Sequence, residues 1–169
     1  PDVQEWNSMA DRRAVTLFRA SILTGAILSG APERDVELLN NAAINIGYAF
    51  DIQDDIIDTF SSEDSYGRKP CYDISKGKRP LHIILTINKD AKAANLIKTL
   101  KGKELTEQDI ENLRKVIRET GALKEAKKRS ELHSQKAKEF IEKTSMNNKS
   151  KKFFIDITDY IKENLNWYE

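Results

Sequence analysis

Cysteine, proline and long apolar runs are all scarce in this chain of 169 residues, which has one Cys and four Pro. A lone thiol, Cys71, can close neither an internal disulfide nor a multi-cysteine zinc site, and a reducing compartment, the cytoplasm, is the plain expectation. The longest apolar stretches are short runs such as Ile83-Ile84-Leu85, far below the roughly 20 residues that cross a bilayer. No secretory leader is visible, and a start at Pro1 rather than Met predicts a trimmed chain or a fragment. Excess charge of one sign is also missing. Twenty-eight Lys and Arg face 27 Asp and Glu, so nothing global calls for nucleic acid or an anionic membrane. Function must therefore rest on where charges are placed locally.

Charged residues at 33% and apolar ones at 39% suit one globular domain, and no interior linker divides the chain. Apolar spacing is helical nearly throughout, and β-hairpin signals are absent. A first helix is predicted from Gln4 to Ser29, and Gly30-Ala31-Pro32 interrupts it. A second helix runs from Pro32 to Thr59, with Val36, Leu39, Ala43, Ile46, Phe50 and Ile57 inward. Gly47 sits in its middle at a cost of about 1 kcal/mol against Ala, which close packing of a neighbour or ligand would explain. Ser61 to Gly77 is a loop by composition. Short helices follow over Pro80–Ile87 and Ala91–Leu100. Thr106 opens another with Asp109 as its capping partner. The chain then continues helically from Ala122 to Lys143 and from Lys151 to Leu165. The fold class is all-α.

Within the second helix the stretch FDIQDDIIDTF gathers Asp51, Asp54, Asp55 and Asp58. At about 100° per residue these four fall within an arc roughly a quadrant wide. Carboxylates so crowded repel one another unless a cation sits among them. They also lie at the helix C-terminus, where the macrodipole disfavours negative charge. Mg²⁺ is the natural partner, since it takes one or two carboxylates together with substrate phosphate oxygens. Gly67-Arg68-Lys69-Pro70 and Gly77-Lys78-Arg79 bring cations close behind, and Asp73 between them is placed to order the loop. Acids, metal and basic loop together make a workable diphosphate site. The competing view is an acidic solvated face beside a flexible basic loop.

Asp54-Asp55-Ile56-Ile57-Asp58, preceded by Gly47-Tyr48-Ala49-Phe50 and followed by Gly67-Arg68-Lys69 and Asp73-Ile74-Ser75-Lys76-Gly77-Lys78, resembles the trans-type isoprenyl diphosphate synthases. It looks like their second aspartate-rich motif and lysine loop. Arg12 to Ser21 likewise resembles the family's Lys-Thr helix, and the likeness runs from Met9 to about Leu85. The resemblance implies the all-α isoprenoid synthase fold, with helices around a central cavity. It implies a cytoplasmic homodimer that joins an allylic diphosphate to isopentenyl diphosphate with Mg²⁺. Carried over by position, Asp54, Asp55 and Asp58 are the metal ligands. Arg13, Lys78 and either Arg68 or Lys69 bind diphosphate, and Asp54, Asp55 and Lys78 carry the chemistry.

Three positions depart from the family pattern. Arg13-Ala14 stands for Lys-Thr, Pro80 for a threonine, and Asp51 for a glutamine, which adds an anion where a neutral amide usually sits. The first aspartate-rich motif has no counterpart, so the chain resembles a C-terminal half whose other half belongs to a longer chain or a partner. Two alternatives stay open: a non-catalytic subunit that binds a true synthase, and a terpene cyclase of the same fold. Elsewhere the expectations are plain. His82 and His133 are ordinary histidines, Trp6, Trp167 and Tyr168 are packing anchors, and Lys124, Lys127, Lys128 and Arg129 form a solvated face. Cys71 is not catalytic.

Overall fold

The computed structural model describes residues 2–163. These are helical nearly throughout, with no strand among the described residues. Helix α1 (Val3–Ala10) passes through a π-helical turn, Asp11–Val15, into α2 (Thr16–Leu28), and α3 (Glu33–Phe60) follows. Two single-turn helices, α4 (Glu63–Tyr66) and α5 (Tyr72–Ser75), lie where the sequence predicts only loop. Local chemistry explains the first: the Ser62 hydroxyl accepts the Ser65 N–H, and Gly67 ends the turn at φ 78°. The remaining helices are α6 (Leu81–Lys89), α7 (Ala91–Leu100), α8 (Glu107–Glu119), α9 (Ala122–Glu142) and α10 (Asn148–Glu163). Thr106 and Asp109 form the expected capping box at α8. Trp6 is buried, whereas Trp167, Tyr168 and the predicted helix end at Leu165 lie outside the described residues.

The chain divides into two compact units. Among the described residues, one contains 54–128 with 2–6, and the other contains 7–53 with 129–163. These divisions fall inside α1, α3 and α9, so no linker or composition shift marks them in the sequence. In the first unit α6, α7 and α8 pack on one another and bury Leu81, Ile84, Leu100, Leu113 and Ile117. In the second, Ala42, Ile46 and Ala49 of α3 share a core with Ala137, Ile141 and Ile161, and Phe18 and Ile22 pack against it. Asp35, also buried, accepts hydrogen bonds from the Ser145 N–H and hydroxyl.

The predicted inner face of α3 holds at Leu39, Ala43 and Ile46 but not at Phe50, which is exposed and meets the Phe18 ring edge-on at 5.4 Å. The predicted single helix over Gln4–Ser29 is likewise interrupted. Arg13 leaves helical geometry at φ −105°, ψ −106°, and such π-bulges cluster at functional sites. Gly47 is what admits this turn. A Cβ built there would lie 2.5 Å from Val15 Cα and 2.9 Å from its nitrogen, and backbone atoms cannot step aside as a flexible side chain can. Close packing of a neighbour therefore accounts for the mid-helix glycine. Gly47→Ala is expected to lower the unfolding free energy in a urea titration by about 1–3 kcal/mol, the usual range for overpacking. Gly25→Ala on α2, where the new methyl meets no atom within 4 Å beyond its own helix backbone, is expected to raise it by about 0.4–1 kcal/mol.

Candidate functional site

The acids of α3 are not a solvated face. Asp55 and Asp58 are 2% and 0% exposed, and Asp54 is half-buried. Burial pushes the Asp58 carboxyl up to about 6, against the pull of the Asp73 N–H and Arg68. Its Oδ2 accepts the Asp73 N–H at 3.1 Å, and its Oδ1 lies 3.0 Å from Arg68 Nη2. Asp54 Oδ1 accepts the Tyr66 hydroxyl at 3.0 Å, and that hydroxyl in turn accepts Arg68 Nη2 at 2.8 Å. These carboxylate oxygens are hard donors of the kind Mg²⁺ prefers. Even so, no three His, Cys, Asp or Glu side chains among the described residues stand ready around one metal position. The donor set fits the one-or-two-carboxylate mode that leaves the remaining positions to water and phosphate.

The basic loop is tied to the acid helix by main-chain bonds. The Cys71 N–H donates to the Asp58 carbonyl at 2.7 Å, and its thiol to the Thr59 carbonyl at 3.6 Å. Cys71 is the one non-glycine residue with positive φ among those described, at 60°, a conformation strained for an L-residue. It is fully buried, and burial drives its thiol up to about 12, consistent with a packing role. Asp73 orders the loop as expected, since its Oδ1 accepts Lys78 Nζ at 2.9 Å.

Arg68 and Lys69, interchangeable in the sequence, part company here. Arg68 turns to Asp58, with its guanidinium 4.6 Å over the Tyr66 ring. Lys69 pairs with Glu104 at the edge of an open cavity of about 910 Å³ that Lys76, Lys101 and Arg114 also line. Arg114 offsets the unfavourable helix end: its Nε and Nη2 donate to the Thr59 and Ser61 carbonyls, each at 2.8 Å. Sequence reading missed Tyr66 and Arg114. The first was detectable as an aromatic two residues before an arginine; the second, on α8, carries no local signal.

In the other compact unit, Arg13 Nη2 meets Asp51 Oδ2 at 2.7 Å, with Asp51 nearly buried. The anion that replaces the family's glutamine thus has a cation of its own. His133 bonds Asn45 through Nδ1 at 2.8 Å and stacks on Tyr48, an ordinary packing role. Lys124 and Lys128 are exposed, while Lys127 and Arg129 are half-buried.

Comparison with known proteins follows the same residues. The family model for polyprenyl synthetases matches residues 2–119, which spans both aspartate helix and basic loop. The chain belongs to this family. Membership reaches through α8, well past Leu85, where the motif likeness ends. A geranylgeranyl diphosphate synthase of Sulfolobus acidocaldarius is 31% identical over 117 residues, 68% of this chain and 36% of that protein. A crystal structure of a geranylgeranyl pyrophosphate synthase superposes with a TM-score of 0.85 at 25% identity, over 96% of this chain and 52% of the other. A polyprenyl synthase from Caulobacter crescentus, solved with calcium and isoprenyl diphosphate, gives 0.76 at 26%, over 86% of this chain and 45% of its own. This polyprenyl synthetase chain therefore has the all-α isoprenoid synthase fold and spans about half, or less, of the relatives it matches. No helix among its described residues is long and apolar enough to cross a membrane.

His82, on α6, supports the acid helix from behind. The Thr59 hydroxyl donates its proton to the Asp55 carbonyl at 3.2 Å, so the bond to His82 at 2.9 Å is donated by Nε2. That leaves Nδ1 bare and without a partner, and complete burial lowers the imidazole to about 3. Between pH 6.5 and 3 the unfolded chain therefore binds a proton that the folded chain refuses, and stability falls as pH falls. From pH 6.5 to 5 this group alone is expected to remove about 2 kcal/mol. The raised Asp58 carboxyl acts in the opposite sense, so the check is the difference between proteins: the urea midpoint should fall more over that interval in the wild type than in His82→Gln.

Proposed function

We propose that this chain supplies a metal- and diphosphate-binding part of a prenyltransferase that joins an allylic diphosphate to isopentenyl diphosphate. The observation that carries the proposal is the meeting of Asp54, Asp58, Arg68 and Tyr66 on one side of the acid helix. Lys78 is held by Asp73, the residue whose N–H fixes Asp58. Asp54 and Asp58 are the residues that would hold Mg²⁺, with Asp55 behind them. When bound, the ion supplies positive charge that neutralises the diphosphate as the allylic carbon–oxygen bond breaks. Arg68 and the half-exposed Lys78 offer charge-assisted donors to the departing diphosphate oxygens, and Lys69 adds a more distant cation. Arg13, in its own unit, is a further diphosphate donor once Asp51 shares it. The isoprenyl diphosphate and calcium named for the Caulobacter relative fit this assignment.

A cytoplasmic homodimer, completed by the half of the synthase fold that carries the other aspartate-rich motif, belongs to the same proposal. The non-catalytic alternative drew on Asp51 together with Ala14 and Pro80; the Arg13 pair gives the Asp51 anion a partner and leaves the other two departures as they were. Asp54→Ala in the intact enzyme is expected to cut incorporation of labelled isopentenyl diphosphate on the order of 100-fold at saturating Mg²⁺, the scale of losing one oriented electrostatic contact. Undiminished incorporation would sink the assignment.

A further inference from the structure

We propose that Tyr66 and Arg68 act as a counter-ion latch: Arg68 offsets part of the acid helix's negative charge until a divalent cation arrives, and Tyr66 keeps the released guanidinium in place for the diphosphate. The inference rests on the metal–diphosphate function proposed above and concerns how that site is held before it is loaded.

One nitrogen makes the latch. Arg68 Nη2 reaches Asp58 Oδ1 at 3.0 Å and the Tyr66 hydroxyl at 2.8 Å. The Tyr66 hydroxyl donates its own hydrogen bond to Asp54 Oδ1 at 3.0 Å. Hydrogen bonds therefore join Asp54, Tyr66 and Arg68, and an ion pair carries the chain on to Asp58, so both outer carboxylates are engaged within it. A dication that takes those oxygens meets a guanidinium already there, and two cations at one carboxylate repel. Something must move, and the geometry decides what. Asp58 is wholly buried, with its second oxygen bound to the Asp73 N–H, so it is fixed. Arg68 is 39% exposed and follows Gly67, which sits at φ 78° with open space around its α-carbon. Arg68 is the movable partner.

Where it goes is set by the aromatic rings. Its Cζ lies 4.6 Å from the Tyr66 ring centroid and 5.6 Å from that of Tyr72. A guanidinium resting on rings keeps its in-plane donors free. Once Asp58 is given up, those donors remain beside the acid helix and are available to phosphate oxygens. Tyr66 is thus a positioning residue acting through Asp54 and Arg68. Its hydroxyl stays protonated because burial raises it, with Asp54 adding to the shift.

The latch makes cation binding and diphosphate binding respond with opposite sign to loss of Arg68. Mn²⁺ titrations of the chain, followed by the electron paramagnetic resonance signal of the free ion, measure the first. Binding of inorganic diphosphate at saturating Mn²⁺ measures the second. Arg68→Gln is expected to bind Mn²⁺ alone about 10-fold more tightly and diphosphate about 10-fold more weakly, the scale of one charge-assisted hydrogen bond. Tyr66→Phe, which keeps the ring, is expected to shift both by about 3-fold in the same directions. Arg68→Lys, which keeps the charge, should stay near wild type toward Mn²⁺. A merely structural role lowers both affinities together. Unchanged or weakened Mn²⁺ binding in Arg68→Gln overturns the latch, and so does a Tyr66→Phe protein that matches wild type in both titrations. A wild-type chain that takes up neither Mn²⁺ nor diphosphate overturns the underlying function instead. Should Arg68→Gln not fold, Tyr66→Phe carries the same test of sign.

Discussion

A single buried carboxylate organises the end of the acid helix and the loop behind it. Asp58 has no exposure to water, yet it sits at the end of a helix whose dipole opposes its charge. It is held there by the Asp73 N–H on one oxygen and Arg68 on the other, while its own carbonyl accepts the Cys71 N–H. Each of these partners comes from the loop that follows. A buried acid would be expensive without them, and the loop would have little reason to hold its shape without the acid. Helix end and basic loop are therefore one object. Arg114 completes it by taking up the Thr59 and Ser61 carbonyls that the helix leaves unpaired.

That arrangement gives the buried acids partners from the chain itself. Their charge is offset in part by the Arg68 guanidinium, which with the phenol beside it links the two outer aspartates. In the other compact unit the same economy appears between Arg13 and Asp51. At Arg13 an arginine stands where the resemblance to isoprenyl diphosphate synthases expects a lysine. A planar fork can serve a carboxylate and a second acceptor at once, which an ammonium does with less geometric definition.

Much of this was legible in the sequence, because it depends on residues close together in the chain. The helical class, the acid spacing, the basic loop and the ordering role of Asp73 all follow from local pattern. What stayed hidden depends on tertiary partners. Arg13 and Asp51 are 38 residues apart, and nothing in either neighbourhood announces the other. The π-turn at Arg13 lies in residues that read as ordinary helix, and only the approach of Val15 to Gly47 reveals it. Arg68 and Lys69 could not be told apart by composition, since their opposite directions come from Asp58 on one side and Glu104 on the other. The exposed Phe50 shows the same limit, because a regular apolar period fixes a helix better than it fixes which turn of it is covered.

Cys71 carries a consequence of another kind. It is the chain's sole thiol, fully buried, raised to about 12, and bonded to the end of the acid helix through both its N–H and its sulfur. In the closed loop it is shielded from solvent alkylating reagents, and thiolate forms readily only when burial is relieved. The rate at which the native protein takes up such a reagent therefore counts the openings of this loop. The molecule contains its own clock for the opening of this loop, with no label to be introduced.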